Sequence, residues 1–256
     1  MKKLALITLV LAVTTLICGC SAQGGSTSNG SASSNETSAS KQVSALASQT
    51  TAPPADTKSY TIVRIDGEPN WDGIASLDID DAEWTDSFGI SAHAKLCHDD
   101  QAIYVRMWAE EQDVRATYTP DDPLANCFED SCLEFFVSPL ADDARYLNFE
   151  FNPNCAVCNE IGTQKTDRIR LLPKTDVFNA SSSRTKDGWE ITYHIPFDYI
   201  RTLYPEFNSQ PGMQMRGNFC KCGNLTTNKH YLTWSHIDSD TPNFHVPNSF
   251  GILVLE

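Results

Sequence analysis

Two acids and an amide, Glu134, Asn148 and Glu150, sit on two short segments that alternate strictly. In 129–139, Leu133, Phe135 and Val137 point one way, and Cys132, Glu134 and Phe136 the other. In 146–153, Leu147, Phe149 and Phe151 share one side, and Tyr146, Asn148, Glu150 and Asn152 the other. A period of two marks a strand with two unlike faces. The short acidic link from Leu140 to Arg145 predicts a hairpin. One face then enters a core, and the other gathers Glu134, Asn148 and Glu150. Such a face is either a solvated sheet surface or a surface that grips hydroxyl groups.

Other chemistry is open to the same residues. Carboxyls on adjacent strands stand about 5 Å apart, the separation a retaining glycosidase uses, so Glu134 with Glu150, or Asp130 with Glu134, can form such a pair. Any acidic sheet yields pairs of this kind, so the spacing alone does not make an enzyme. The six histidines are scattered, and no nucleophile-elbow pattern accompanies them. Seven cysteines follow residue 58: Cys97, Cys127, Cys132, Cys155, Cys158, Cys220 and Cys222. Disulfides, a zinc site on Cys155, Cys158, Cys220 and Cys222, and idle thiols are all open, and the odd count leaves at least one cysteine over. Asp121-Asp122 and Asp238-Ser239-Asp240 offer oxygen ligands for structural calcium.

Many short strands position these groups. Tyr60–Ile65 alternates and ends at Asp66-Gly67. Ile90–Cys97 and Ala102–Trp108 flank an acidic turn, which predicts a second hairpin. Arg168–Leu172, Gly188–Pro196, Met215–Lys221, His230–Ser235 and Phe250–Leu255 complete the strands. Asp198 to Tyr204 predicts one or two helical turns with Asp198 as N-cap. The fold class is all-β, an antiparallel β-sandwich over residues 59–256, long enough for a substantial core.

The start of the chain reads as an export signal. Lys2-Lys3 precedes a short apolar run, Leu4 to Leu16, and Gly19-Cys20 fits a lipobox. Residues 1–19 are thus a lipoprotein signal peptide, and Cys20 is the lipidated residue. Residues 20–58 are rich in Ser, Thr, Ala and Gly, too polar to offset chain entropy, and predict a disordered tether with ends on the order of 35 Å apart. The domain is expected outside the cytoplasm, membrane-anchored by lipid alone. The net charge is −14, and losing Lys2 and Lys3 makes it −16. That balance argues against nucleic acid as a partner.

Taken in order, the motifs resemble a known family. They are Asp66-Gly67 with Trp71, Ala102 to Arg106, Asp130 to Phe136, Asn148 to Asn152, and Gly188 to Ile191 leading to Ile195-Pro196-Phe197. Gly217-Asn218-Phe219, Trp234-Ser235 and Phe244 to Gly251 close the series. This series resembles carbohydrate-binding module family 9, within the wider DOMON-like group, over nearly all of residues 60–256. The resemblance implies a β-sandwich that binds sugars without chemistry, in some members at the reducing ends of glycans. It implies polar contacts at Glu134, Asn148 and Glu150, and an aromatic pair around the terminal sugar at Phe128 and Phe244. Sugar-binding members carry tryptophan at those two positions; phenylalanine offers a smaller face, worth about 1.5–3 kcal/mol when buried. Family members can also hold structural calcium. The expected function is surface-tethered capture of glycan ends or small saccharides, beside separate glycoside hydrolases or transporters. The alternative is an envelope protein with this fold and no sugar site, acting by protein contact, redox or metal.

Overall fold

The computed structural model describes residues 57–173 and 177–256. The expected signal peptide, Cys20 and nearly all of the tether lie outside the described residues. No helix among the described residues is long and apolar enough to cross a membrane.

Among the described residues, thirteen strands and one α-helix follow in order: β1 Ser59–Arg64, β2 Leu77–Ile79, β3 Ser91–His98, β4 Ala102–Glu110, β5 Cys132–Ser138, β6 Tyr146–Phe151 and β7 Val157–Gly162. Then come β8 Ile169–Arg170, β9 Ser181–Arg184, β10 Gly188–Pro196, α1 Phe197–Leu203, β11 Gln214–Gly223, β12 His230–Thr233 and β13 Gly251–Leu255. The strand order is β8-β7-β6-β5-β11-β13-β1-β3-β4-β10-β9, with β12 on β11 and β2 on β3. β1 joins the two layers. Ser59–Ile62 pairs with β13, and Val63 and Arg64 pair with β3. Both of those pairings are parallel; the remaining strand pairs are antiparallel. The expected antiparallel sandwich is therefore present, with one strand switching sheets in parallel register.

Alternation builds the core between the layers. Leu133, Phe135 and Val137 of β5 and Leu147, Phe149 and Phe151 of β6 meet Trp189, Ile191, Tyr193 and Ile195 of β10. The rings of Phe135 and Phe219 stack 4.5 Å apart at an interplanar angle of 1°. Each such buried side chain contributes about 1.5–3 kcal/mol by leaving water.

Local chemistry sets the turns. Asp99 folds the β3–β4 hairpin: its carboxylate accepts the Gln101 and Ala102 amides at 2.7 and 2.9 Å and the Tyr104 hydroxyl at 2.9 Å. β10 begins on Gly188 because a Cβ there would lie 2.0 Å from the Ala109 carbonyl oxygen. The helix starts at Phe197 with Pro196 at the cap position. Asp198, expected to be the cap, lies in the first turn and pairs with Arg201 at 2.8 Å. Proline fixes the extended φ that a cap residue needs, so the break falls one step earlier.

Candidate functional site

The register of β5 brings the singled-out side chains together. Glu134 stands opposite Glu150 on β6 and Cys220 on β11. Asn148 stands opposite Phe136 and Glu160, and Glu150 opposite Cys158. Cys222 stands opposite Cys132. These residues share the face turned away from the main core.

That face is not solvated. Glu134 and Glu150 are 2% exposed and Asn148 is fully buried. The solvated-sheet alternative fails because Cys132, Phe136, Tyr146, Cys158 and Cys220 share the face and build a second apolar cluster with Phe244 and Phe250. Burial raises the carboxyls of both Glu134 and Glu150 well above the ordinary range. For Glu134, the neighbouring Cys222 thiol adds to the rise and Arg168 opposes it. For Glu150, the nearby carboxyls of Glu134 and Glu160 add to it. Burial thus favours the protonated form of each.

Their bonding is incomplete. Asn148 Nδ2 donates to Glu150 Oε1 at 2.7 Å, and Cys222 Sγ donates to Glu134 Oε1 at 3.0 Å. Asn148 Oδ1 and Glu150 Oε2 are buried and have no hydrogen-bond partner. A buried polar atom left without a partner costs about 1–3 kcal/mol, so such atoms call for a water, an ion or a ligand.

A chain of polar contacts borders this cluster. The Tyr146 hydroxyl and His245 Nδ1 are 2.8 Å apart, and Arg168 donates to His245 Nε2 at 2.6 Å. Arginine only donates, so Nε2 accepts and the ring proton sits on Nδ1, facing Tyr146. Burial, with Arg168 and Lys165 adding, lowers His245 to about 3 and keeps it neutral. Arg168 and Arg170 both pair with Glu160, at 3.0 and 3.1 Å.

The two aromatic candidates are placed differently. Phe128 is half-buried on the turn Cys127–Glu129, and its carbonyl accepts the Asn224 amide at 3.0 Å. Phe244 packs against Trp84 at 5.9 Å, Tyr231 at 6.0 Å and Phe136 at 6.4 Å. Trp84 is half-buried, and its indole N–H donates to the Ser239 carbonyl at 2.6 Å. Trp84, Tyr231, His245 and Arg168 are missing from the sequence-based site. Trp84 lies between strands, so no face pattern marks it. Phe136 and Tyr146, large aromatics among the polar residues, were the available signal that this face is covered.

Asp130, a candidate acid, is structural. Its carboxylate accepts the Thr117 amide and hydroxyl, the Tyr118 amide and the Asn152 side chain at 2.7–3.1 Å. Burial pushes its carboxyl up, but the Thr117 and Asn152 bonds outweigh that and hold it below the usual range. Asp122 folds its own loop by accepting the Thr119 amide at 2.8 Å. Close donor triads among the described residues are Cys132 with Glu134 and Cys222, Asp81 with Glu83 and His236, and Glu150 with Cys158 and Glu160. Neither the four-cysteine zinc set nor the two aspartate loops considered for calcium is among them.

A cleft of about 320 Å³ lies elsewhere, lined by Phe88, Glu111 and Asn228, and none of Glu134, Asn148 and Glu150 borders it. The domain is thus two β-layers with a buried polar cluster flanked by aromatic side chains. Its family is clear: residues 70–255 match the model of "Carbohydrate-binding family 9", and the chain belongs to that family. A crystal structure from Bacteroides uniformis, described as a candidate carbohydrate-binding protein, has a TM-score of 0.67 at 26% identity, covering 78% of this chain and 100% of that one. Family 9 modules from Caldicellulosiruptor kristjanssonii share the fold, one in complex with cellotriose and one with glucose. Their TM-scores are 0.54 and 0.55, at 14% and 16% identity, covering 78% of this chain and 94% and 96% of theirs. No curated protein matches the chain.

Proposed function

We propose that this domain binds the end of a glycan, or a small saccharide, at the β5–β6 face, without chemistry. Carbohydrate binding is the class of function its family defines. The observation that carries the finer reading is the trio Glu134, Asn148 and Glu150, with two buried acceptors, Asn148 Oδ1 and Glu150 Oε2, lacking partners. Two acceptors two residues apart on one face of β6 suit the vicinal hydroxyls of a sugar. A protonated carboxyl at Glu134 or Glu150 donates as well as accepts, so one residue serves a hydroxyl in either sense. Trp84, Tyr231 and Phe244 supply apolar faces for sugar C–H groups, and Phe128 flanks the β11 side. The segment bearing Phe244 and His245 must lift for a ligand to enter. In this reading the protein is exported, lipid-anchored through Cys20, and supplies sugars to separate hydrolases or transporters.

A second reading is favoured by the burial itself: an envelope protein that keeps the fold and has closed the site. One experiment separates the two. The protein is titrated calorimetrically with mono- and oligosaccharides carrying free or chemically reduced ends, with and without calcium. Binding that is lost on reduction supports end capture. Absence of binding across the panel, or binding that Glu134→Ala leaves unchanged, overturns the site.

A further inference from the structure

We propose that Cys132, Cys222 and Glu134 form a buried site for one thiophilic divalent cation, with zinc as the best match. The thiol and carboxylate donor atoms of the three residues lie within 4.8 Å of one another. All three residues are 2% exposed or less. They stand on two adjacent central strands. Cys132 and Glu134 are two apart on β5, hence on one face, and Cys222 on β11 is the ladder partner of Cys132. The supports are strands rather than loops, so the donors are preset.

The chemistry of the set selects the ion. Two thiolates and one carboxylate suit zinc and exclude calcium and magnesium, which take oxygen ligands. Zinc binds sulfur at about 2.3 Å and carboxylate oxygen at about 2.0–2.2 Å, so tetrahedral donors stand roughly 3.3–3.8 Å apart. The Cys222 Sγ to Glu134 Oε1 distance is already 3.0 Å, with a proton between them. A cation would take that proton's place. Binding releases the two thiol protons and the Glu134 proton to solvent, and no electrons move. The bound set would carry a net charge of −1, and Arg168 is the nearby positive group that acts on Glu134.

A buried neighbour of the triad also lacks a partner. Glu150 faces Glu134 across the β5–β6 ladder, is 2% exposed, and has an oxygen with no hydrogen-bond partner. Its donor oxygen groups with Cys158 and Glu160 rather than with this triad, which leaves the fourth position to another donor. The neighbouring set fits less well. Glu160 is already neutralised by Arg168 and Arg170. Cys127 is likewise committed, its thiol donating to the Ala156 carbonyl at 3.2 Å.

The test uses the full chain, purified with reductant and stripped of metal by a chelator. Cobalt(II) is added first and zinc second. One equivalent of cobalt should give the ultraviolet sulfur-to-cobalt absorption and tetrahedral visible bands, and zinc should erase both. Cys132→Ser and Cys222→Ser should each weaken zinc by more than the roughly 10–100-fold that changes outside the ligand shell produce. Cys97→Ser, on β3, should leave binding unchanged. Serine at a buried position can impair folding, so zinc-edge X-ray absorption on the unaltered protein gives a second reading. Two sulfur ligands among lighter ones support the proposal. Absence of the sulfur absorption, a shell of oxygen and nitrogen alone, or unchanged affinity in a folded Cys132→Ser and Cys222→Ser double variant would each overturn it. None of these readouts involves sugar, so the metal is tested separately from the carbohydrate reading, with which it shares Glu134.

Discussion

Glu134 and Glu150 face each other as direct partners across the β5–β6 ladder, both 2% exposed. Burial raises both carboxyls above their unfolded values, so the folded state keeps protons that the unfolded state releases. Such groups stabilise fully below the unfolded value, about 4.3, and lose that stabilisation as pH rises through the folded value. His230, lowered to about 4 by burial and Lys221, and His245, lowered to about 3, act in the opposite sense below about 6.5. Above pH 6.5 the carboxyls are joined, in the same sense, by His236, which its bond to Asp81 raises, and toward pH 8.5 by the buried cysteines, which burial raises. Denaturant unfolding of metal-free protein should therefore show stability falling with pH from 6.5 to 8.5. Glu150→Gln should flatten that slope, and an unchanged slope would remove the buried pair as its cause.

Asp130 ties the 115–118 segment to the start of β5. Besides its four hydrogen bonds, Arg115 lies 3.2 Å from its carboxylate. Asp130→Ala orphans two backbone amides and leaves Arg115 without its acid. The expected loss is about 3 kcal/mol in urea denaturation. The folded carboxyl lies below its unfolded value, so this stability is present above about pH 4 and is lost as pH falls through the folded value. Below that point the wild type and the variant should converge.

A lysine inside the sandwich makes a sharper case. Lys221 is fully buried, 3.1 Å from Glu111 and 2.8 Å from His230 Nε2. The ammonium only donates, so His230 is neutral with its proton on Nδ1, directed at the Asn228 carbonyl 2.6 Å away. Lys221→Met leaves Glu111 buried without its cation. Breaking a buried pair from one side costs about 3–5 kcal/mol. Glu111 retains the Ser131 hydroxyl at 2.8 Å and the Trp189 indole at 3.3 Å, which favours the lower end. A loss under 1 kcal/mol in thermal or urea unfolding would show that the pair is not holding the sheets together.

Alternation made the strands legible. Trp189, Ile191, Tyr193 and Ile195 point inward as their spacing requires, and Glu134, Asn148 and Glu150 share a face as theirs does. What spacing cannot carry is what lies on top of a face. The residues that cover this one, Trp84, Phe244 and His245, come from segments outside the thirteen strands, where no period applies. The same limit hid the thiol–carboxylate triad. Cys132 and Cys222 are ninety residues apart in sequence, and only the β5–β11 register makes them neighbours. β7 was missed for a different reason. Its Cys158 drew notice only as a thiol, for a disulfide or zinc, whereas Cys158 and Glu160 are outward residues of a strand whose inward residues include Asn159.

The cover itself yields the last prediction. His245 holds its segment against the site through Tyr146 and Arg168, and its ring packs 5.1 Å from Phe136. If sugar enters at this face, the competent state is the one in which the segment has lifted, and apparent affinity scales with the fraction so lifted. His245→Ala removes two hydrogen bonds from the closed state, each worth about 1 kcal/mol. Arg168 keeps Glu160 as a partner, so no new buried charge is created. The open fraction should rise, tightening saccharide binding by up to roughly thirtyfold while thermal stability falls. Hydrogen exchange should quicken at 243–250 and leave β10 unaffected. Faster exchange with unchanged affinity would mean that the ligand reaches the domain by another route, and the place to look would then be the cleft beside Glu111.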